Sequence, residues 1–412
     1  MMRSLFAGVS GMKNHQVRLD VIGNNIANVN TVGFKASRVT FEEAFSQLLQ
    51  GASRPGARGS ASIGGSNPVQ IGLGVSLGSI DTLYTQGNLE TTGVMTDLAI
   101  QGDSLFVLSD GNRFYYTRAG NFLIDATGRL VSASNGLTVQ GRVASGGVLG
   151  QQIGDIVLPI NERAPARATT SVGLAGNLDA QAPDGTMRET AITVYDSLGT
   201  THELKVVFTK NATAWDFEVF MDGGATAIGT GTVTFTPDGR LDSPQSQTVS
   251  FTPTNGANTM NIELRFGTTG GLDGLTGFGG SLSAVLQQQD GYAAGELEQI
   301  TIDKTGTITG AYSNGVVMTL AQIALADFEN PGGLYREGGN LYTASPNSGD
   351  PVVSFVGDGS PSEIAPGTLE MSNVDLAQEF TNMIIAQRGF QSNARVITSS
   401  DELLQELVNL KR

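Results

Sequence analysis

The chain has 412 residues, with 55 Gly, 13 Pro, no Cys and 2 His, and a formal net charge of −15. The missing cysteines exclude disulfides, thiol nucleophiles and Cys-ligated metals, the two distant histidines (His15 and His202) exclude a multi-His metal site within one chain, and the acidity argues against a nucleic-acid-coating surface. At about 150 residues per domain the length suits two or three domains, and charged residues at 15% make a turn-rich chain that is still too apolar to be disordered.

At the N-terminus, Leu5, Val9, Met12, Gln16, Leu19 and Ile26 fall on a helical stripe, with Gly23 at the intervening position. Four Asn within seven residues, Asn24, Asn25, Asn28 and Asn30, compete for backbone hydrogen bonds, so the helix is expected to end near Asn28, with Gly33 in the turn beyond. Residues 1–60 carry seven bases and three acids, a local balance of +4. That pattern suits a packed helix with solvated bases better than a transit peptide, a membrane-surface helix or a nucleic-acid arm. Leu5-Phe6-Ala7 is too short for the apolar region of a signal peptide, and no apolar run approaches the roughly 18 residues of a membrane span.

Thr40-Phe41-Glu42-Glu43 fits a capping box, which predicts a short helix to Leu49 closed by Gly51. Residues 51–75 are Gly, Ser, Arg and Pro with little periodicity, a long connection or extended arm. From there the period is two: Ile192 and Val194; Leu204, Val206 and Phe208; Trp215, Phe217, Val219 and Met221; Val249 and Phe251; Met260, Ile262, Leu264 and Phe266. These read as half-buried antiparallel strands with Trp215 in a sheet core. Asp125-Ala126-Thr127-Gly128 and Asp303-Lys304-Thr305-Gly306 share a pattern read as hairpin turns rather than calcium ligands. The breaker-rich stretches Pro159–Pro165 and Gly267–Gly280 are expected to bound an insertion.

The C-terminus is again helical. Leu376, Phe380, Met383, Gln387, Phe390, Ala394, Ile397, Asp401, Leu404 and Val408 keep an alternating 4,3 spacing like a coiled-coil seam, and Lys411 and Arg412 suit the negative end of the helix dipole. Ile384, Val396, Leu403, Leu407 and Leu410 widen the stripe. Helices over residues 3–28 and 371–412 would run roughly 40 and 60 Å, more than a small β domain covers, so their partners are expected in other chains, as in a polymer.

Gly74-Val75-Ser76-Leu77-Gly78 matches the nucleophile elbow of hydrolases, with His202 downstream, but the alternating residues after Ser76 read as a strand where the elbow needs a helix. No phosphate-binding glycine loop and no EF-hand loop is present. A hydrolase would need His202 beside Ser76, and an adhesin would not need two terminal helices.

Five blocks carry a family resemblance: Gly23-Asn24-Asn25-Ile26-Ala27-Asn28 through Val32-Gly33-Phe34-Lys35; Gln86-Gly87-Asn88-Leu89-Glu90 with Asp97-Leu98-Ala99-Ile100; Tyr116-Thr117-Arg118-Ala119-Gly120-Asn121-Phe122; Leu369-Glu370-Met371-Ser372-Asn373; and Ala386-Gln387-Arg388-Gly389-Phe390. Together they resemble the bacterial flagellar rod and hook proteins. The β insertion before the C-terminal blocks is similar to the outer domain of the family's hook members; a rod member with an unusual insertion is the other reading. The resemblance implies a mainly β chain with long helical termini. Residues 1–30 plus 371–412 would form a helical core, 31–75 a connecting arm with a short helix or an extended hairpin, 76–150 plus 290–370 a middle β domain and 151–289 an outer β domain of barrel or sandwich type. It implies no enzyme and no cofactor, and a curved tube of many copies of the chain that transmits torque. It further implies contacts with the distal rod, hook cap and hook–filament junction proteins. Export through the flagellar type III apparatus to the cell exterior, without a cleaved signal and without membrane insertion, is also implied. The expected self-assembly residues are Leu5, Val9, Met12, Leu19, Asn24, Asn25, Ile26, Asn28, Gly33 and Phe34 on the N-terminal side, with the seam from Leu376 to Val408 on the other.

Overall fold

A computed structural model describes residues 2–54, 56–58, 61–160 and 162–409, so the expectations for Lys411 and Arg412 and for the side chains of Leu407, Val408 and Leu410 lie outside the described residues. The chain divides into two compact units: Met1–Leu158 with Thr301–Ile308 and Thr319–Arg412, and Pro159–Ile300 with Thr309–Met318.

The first unit holds both helices. Helix α1 spans Met2–Ala27, and α2 spans Leu376–Asn409. The Asn cluster terminates α1 as its chemistry requires: the Asn28 amide Nδ2 donates to the Asn24 carbonyl at 2.9 Å, and the chain turns at Gly33 with φ +68°. Asp375 starts α2, its Oδ1 accepting the backbone N–H groups of Ala377 and Gln378 at 2.9 and 3.2 Å. The helices pair antiparallel within the chain, Gly8 lying against Ile397, Gly11 against Asn393 and Gly389 against His15. The expectation that their partners lie only in other chains is therefore corrected: small residues on both helices allow a close approach that the apolar stripe did not foretell.

The short helix expected over 40–49 is not formed. Strand Ser37–Glu43 pairs antiparallel with Val75–Thr82, and Ser46–Gln50 pairs with Val69–Gly72, making a long two-stranded arm. Across this ladder Thr40 Oγ1 meets Ser79 Oγ at 2.6 Å. Glu43, which would have closed the capping box, instead has its carboxylate beside Gly72, so the return strand outcompetes the local helix signal. Phe45, Leu48, Leu49, Val69 and Ile71 stand exposed along the arm.

The remaining first unit is a β body. Strand Leu105–Ser109 pairs with Phe114–Thr117, Thr138–Ser145 and Leu325–Asp327, and Leu105, Val107, Tyr116, Ala326 and Tyr342 pack as its core. Distant segments close it: Glu363–Pro366 pairs with Leu98–Gln101, and Thr368–Glu370 with Leu89–Thr91. The repeated Asp-x-Thr-Gly turns share one geometry. Asp125 Oδ1 accepts from the Thr127 and Arg129 N–H groups, Asp303 Oδ1 from those of Thr305 and Thr307, and Gly128 and Gly306 hold φ of +83° and +70°.

The second unit is a sandwich of two five-stranded sheets. One runs through Met187–Tyr195, Thr201–Asn211, Ala214–Met221, Gly229–Phe235 and Leu241–Ser243; the other contains Ser171–Asn177, Ser246–Phe251, Met260–Arg265, Leu275–Thr276 and Val285–Gln289. Alternation drives the packing: Leu204, Val206, Phe208, Trp215 and Phe217 from the first sheet meet Val249, Ile262, Leu264 and Phe266 from the second in one buried cluster. Two expectations need correction. Ser171–Asn177 runs parallel to Met260–Arg265, so the insertion is not wholly antiparallel. Gly267–Gly280 is no boundary, because Leu275–Thr276 inside it pairs with Ser171–Asn177 and the Leu275 N–H donates to the Phe266 carbonyl.

Candidate functional site: a helix pair and its buried charge clasp

Small residues mark the closest approach of α1 and α2, where they meet Ile397, Asn393 and His15. Gly8, Gly11, Asn14, Ile22 and Asn25 are buried on α1, and Ala386 and Ser400 on α2. A β-carbon on Gly8 would lie 3.2 Å from Ile397 Cγ1, and one on Gly11 would lie 2.7 Å from Asn393 Nδ2. Interior helix glycine costs about 1 kcal/mol relative to alanine, so a spacing such as Gly8-Val9-Ser10-Gly11 is the sequence signal for this face. The stripe of large apolar side chains carries no trace of it.

The large apolar side chains divide. Leu5, Met12, Leu19 and Ile26 on α1 and Met383, Phe390, Ala394, Ile397 and Leu404 on α2 are half-buried. Val9, Asn24, Leu376, Phe380 and Gln387 are exposed, and the Val408 side chain is not described. With Met2, Phe6, Ile384, Ile385, Val396 and Leu403, also exposed, they leave an apolar surface on the paired helices that nothing in this chain covers among the described residues.

Where α1 meets the β body, side-chain amides replace backbone pairing. Asn25 Nδ2 donates to the Ser37 carbonyl at 2.8 Å while Asn25 Oδ1 accepts the Ser37 N–H at 3.0 Å. Asn14 Nδ2 donates to the Val75 carbonyl at 2.8 Å. From the C-terminal side, Asn373 Oδ1 accepts the Ala36 N–H and its Nδ2 donates to the Leu83 carbonyl, both at 2.8 Å. Gly33 and Phe34 are buried here, and the Gly33 N–H donates to the Glu370 carbonyl at 2.7 Å.

Directly beneath lies a charge cluster sealed from solvent. Glu370 accepts from Lys35 Nζ at 2.6 Å and from Arg118 Nη1 at 3.2 Å, and all three side chains are 0–1% exposed. Glu370 Oε1 also accepts the Gly87 N–H at 2.8 Å, and Lys35 Nζ donates to the Thr85 carbonyl at 2.9 Å. Arg118 further donates to the carbonyls of Ile100 and Gly102. Burial pulls the Lys35 ammonium below its ordinary range, with Glu370 opposing the shift. Two cations share one carboxylate, so removing that carboxylate would strand both charges in a dry site. Lys35, Gly87, Arg118 and Glu370 come from four of the five sequence blocks. Those blocks therefore meet in one knot, and none of Lys35, Gly87, Arg118 and Glu370 was among the expected site residues.

The hydrolase pattern gains no geometry. Ser76 is the second residue of strand Val75–Thr82, with its hydroxyl donating to Glu42 Oε1 at 3.1 Å. His202 is held in the second unit between Asp222 at 2.7 Å and Asp196 at 3.2 Å.

Family models match along the chain: flagella basal body rod protein over residues 5–35, flagellar hook protein FlgE/F/G D1 domain over 99–180, flagellar basal body protein FlaE D2 domain over 161–292, and flagellar basal body rod FlgEFG protein C-terminal over 365–410. The flagellar hook protein FlgE of Treponema pallidum is 42% identical over the whole of both chains. This chain belongs to the flagellar hook protein FlgE family. FlgE of Borreliella burgdorferi is 41% identical over the whole of both chains, and a Bacillus subtilis protein named flagellar basal-body rod protein FlgG is 34% identical, also over the whole of both. The crystal structure of Helicobacter pylori FlgE2 shares the fold with a TM-score of 0.51 at 16% identity, covering 68% of this chain and 100% of that one. The clasp residues Lys35 and Glu370 lie within the matched N- and C-terminal segments, so the FlgE-type ends and the knot that joins them coincide.

Proposed function

We propose that this chain is the subunit of the flagellar hook, a curved tube of many copies that carries torque from rod to filament as a universal joint. The observation that carries this reading is the division of labour on the terminal helices. Small residues join α1 to α2 within one subunit, and Phe6, Val9, Phe380, Ile384 and Ile385 are left outward on a chain related to FlgE over its full length. Copies of the chain supply the cover for that face, with residues 1–30 and 371–412 innermost, the 31–75 arm between subunits, 76–150 with 290–370 in the middle and 151–289 outside.

The distal rod, hook cap and hook–filament junction proteins are its further partners. The flagellar type III apparatus exports it to the cell exterior, without a cleaved signal. It performs no catalysis: Ser76 serves the arm's ladder. A distal-rod role is the second reading, favoured by the FlgG-named relative. Negative-stain microscopy of the purified chain, concentrated in precipitating salt, tests the proposal. Curved tubes support it, straight tubes favour the rod reading, and a chain that never polymerises contradicts both.

A further inference from the structure

Among the described residues, the apolar surface left on the helix pair falls into two separate patches. The helices run antiparallel, with Ser4 meeting Ser400, Gly389 against His15 and Arg18 donating to Asn382. At one end α1 presents Met2, Phe6 and Val9, spaced four and three apart and 67, 66 and 52% exposed, with the exposed Val396 of α2 beside Gly8. At the other end α2 presents Leu376, Phe380, Ile384 and Ile385, all exposed. Between the patches the outward positions are polar: Lys13 and Gln16 on α1, and Gln387, Arg388, Gln391 and Arg395 on α2. The helical rise puts the two patches about 25 Å apart.

We propose that the two patches are the two halves of one contact, the Met2–Val9 stripe of one copy docking on the Leu376–Ile385 stripe of the next; this rests on the reading of the chain as a tube subunit. The charges of the two stripes are opposite. Residues 2–13 carry Arg3 and Lys13 and no acid, whereas residues 375–385 carry Asp375 and Glu379 and no base. Asp375 is exposed beside Leu376, while Glu379 is turned toward Asn25 and Arg18 of its own chain. The acids at the first end, Asp401, Glu402 and Glu406, belong to α2 beyond Val396. A stripe that met its own kind would set bases against bases or acids against acids, and would close the assembly at a dimer. Unlike stripes joined head to tail leave one of each free on every growing chain of copies, so the polymer stays open and has a direction.

The chain has no cysteine, so an introduced thiol reports on its own position alone. Full-length Phe6→Cys and Ile384→Cys chains are assembled separately and as an equal mixture, and the tubes are treated with a short bismaleimide. Covalent dimers on a denaturing gel should appear in the mixture and be absent from tubes of either variant alone. Dimers in tubes of a single variant would mean that like meets like and would overturn the proposal. Mixed tubes without dimers would overturn it as well. Val9→Cys with Phe380→Cys repeats the measurement where either first variant fails to assemble. Tubes that form without cross-links reject the pairing and leave the tube reading standing, whereas a parent chain that forms no tubes contradicts that reading and the pairing with it.

Discussion

Lys35 Nζ and Glu370 Oε1 lie 2.6 Å apart although 335 residues separate them in sequence. Through this pair and Arg118 the segment leaving α1, the middle of the β body and the segment entering α2 are tied at one buried carboxylate. The Asn14, Asn25 and Asn373 bonds around this region add further ties between the helical ends and the strands of the first unit.

Glu370→Gln keeps the shape of the side chain but leaves two buried cations without a counter-charge. It should destabilise the first unit by about 3–5 kcal/mol. Denaturant unfolding followed by helical circular dichroism, which comes from α1 and α2, reads this unit, while Trp215 fluorescence should show the second unit unchanged. An unaltered first-unit midpoint would mean that the clasp is dispensable.

Gly389→Leu tests the close approach of the helices. A β-carbon at Gly389 would already lie 2.5 Å from the His15 ring, so the larger side chain must force α1 and α2 apart. The expected cost is about 1–3 kcal/mol of overpacking. Helical circular dichroism should melt earlier than in the parent chain, and tube formation should fail.

Phe380→Asp and Ile384→Asp act on the opposite face. Both residues are exposed in the isolated chain, so monomer stability should stay within about 0.5 kcal/mol. In the tube the same charges would be buried without partners, and polymerisation, scored by pelleting, should be lost. Normal tubes from both variants would place the subunit contacts elsewhere.

The two histidines give the two units opposite responses to pH. His15 is shifted below its ordinary 6.5 by burial, then by Arg18, so folding favours its neutral form. Its contribution is intact above pH 6.5 and is lost as pH falls through the lowered value, so the helix pair should loosen in mild acid. For His202, burial disfavours the charge, but hydrogen bonds to Asp222 and Asp196 outweigh it and raise the pKa above 6.5. Its contribution is full below pH 6.5 and fades as pH rises through the raised value. Helical circular dichroism and Trp215 fluorescence, followed in denaturant at several pH values, should therefore move in opposite directions. His15→Leu should flatten the first trend and His202→Gln the second.

The fold was legible where one periodicity ruled. The 3–4 stripe from Leu5 to Ile26 and the alternation from Leu204 to Phe266 locate the helices and the sandwich; burial of one face accounts for the sandwich, whereas the buried positions of α1, Gly8, Gly11, Asn14, Ile22 and Asn25, lie off the stripe. The Thr40–Glu43 helix signal failed because a local cap lost to a ladder formed with residues 75–82, and that pairing leaves no local trace. The clasp was hidden for a different reason. Lys35, Arg118 and Glu370 stand in three separate sequence blocks, and no local pattern links them until the chain brings them together.

Whether these subunits form the hook itself is decided by antibodies against the second unit, applied to hook–basal bodies isolated from the source bacterium and viewed by immunogold electron microscopy. Hook subunits give label along the curved segment between rod and filament. Label confined to the straight rod, or none on the structure, would contradict a place in the hook.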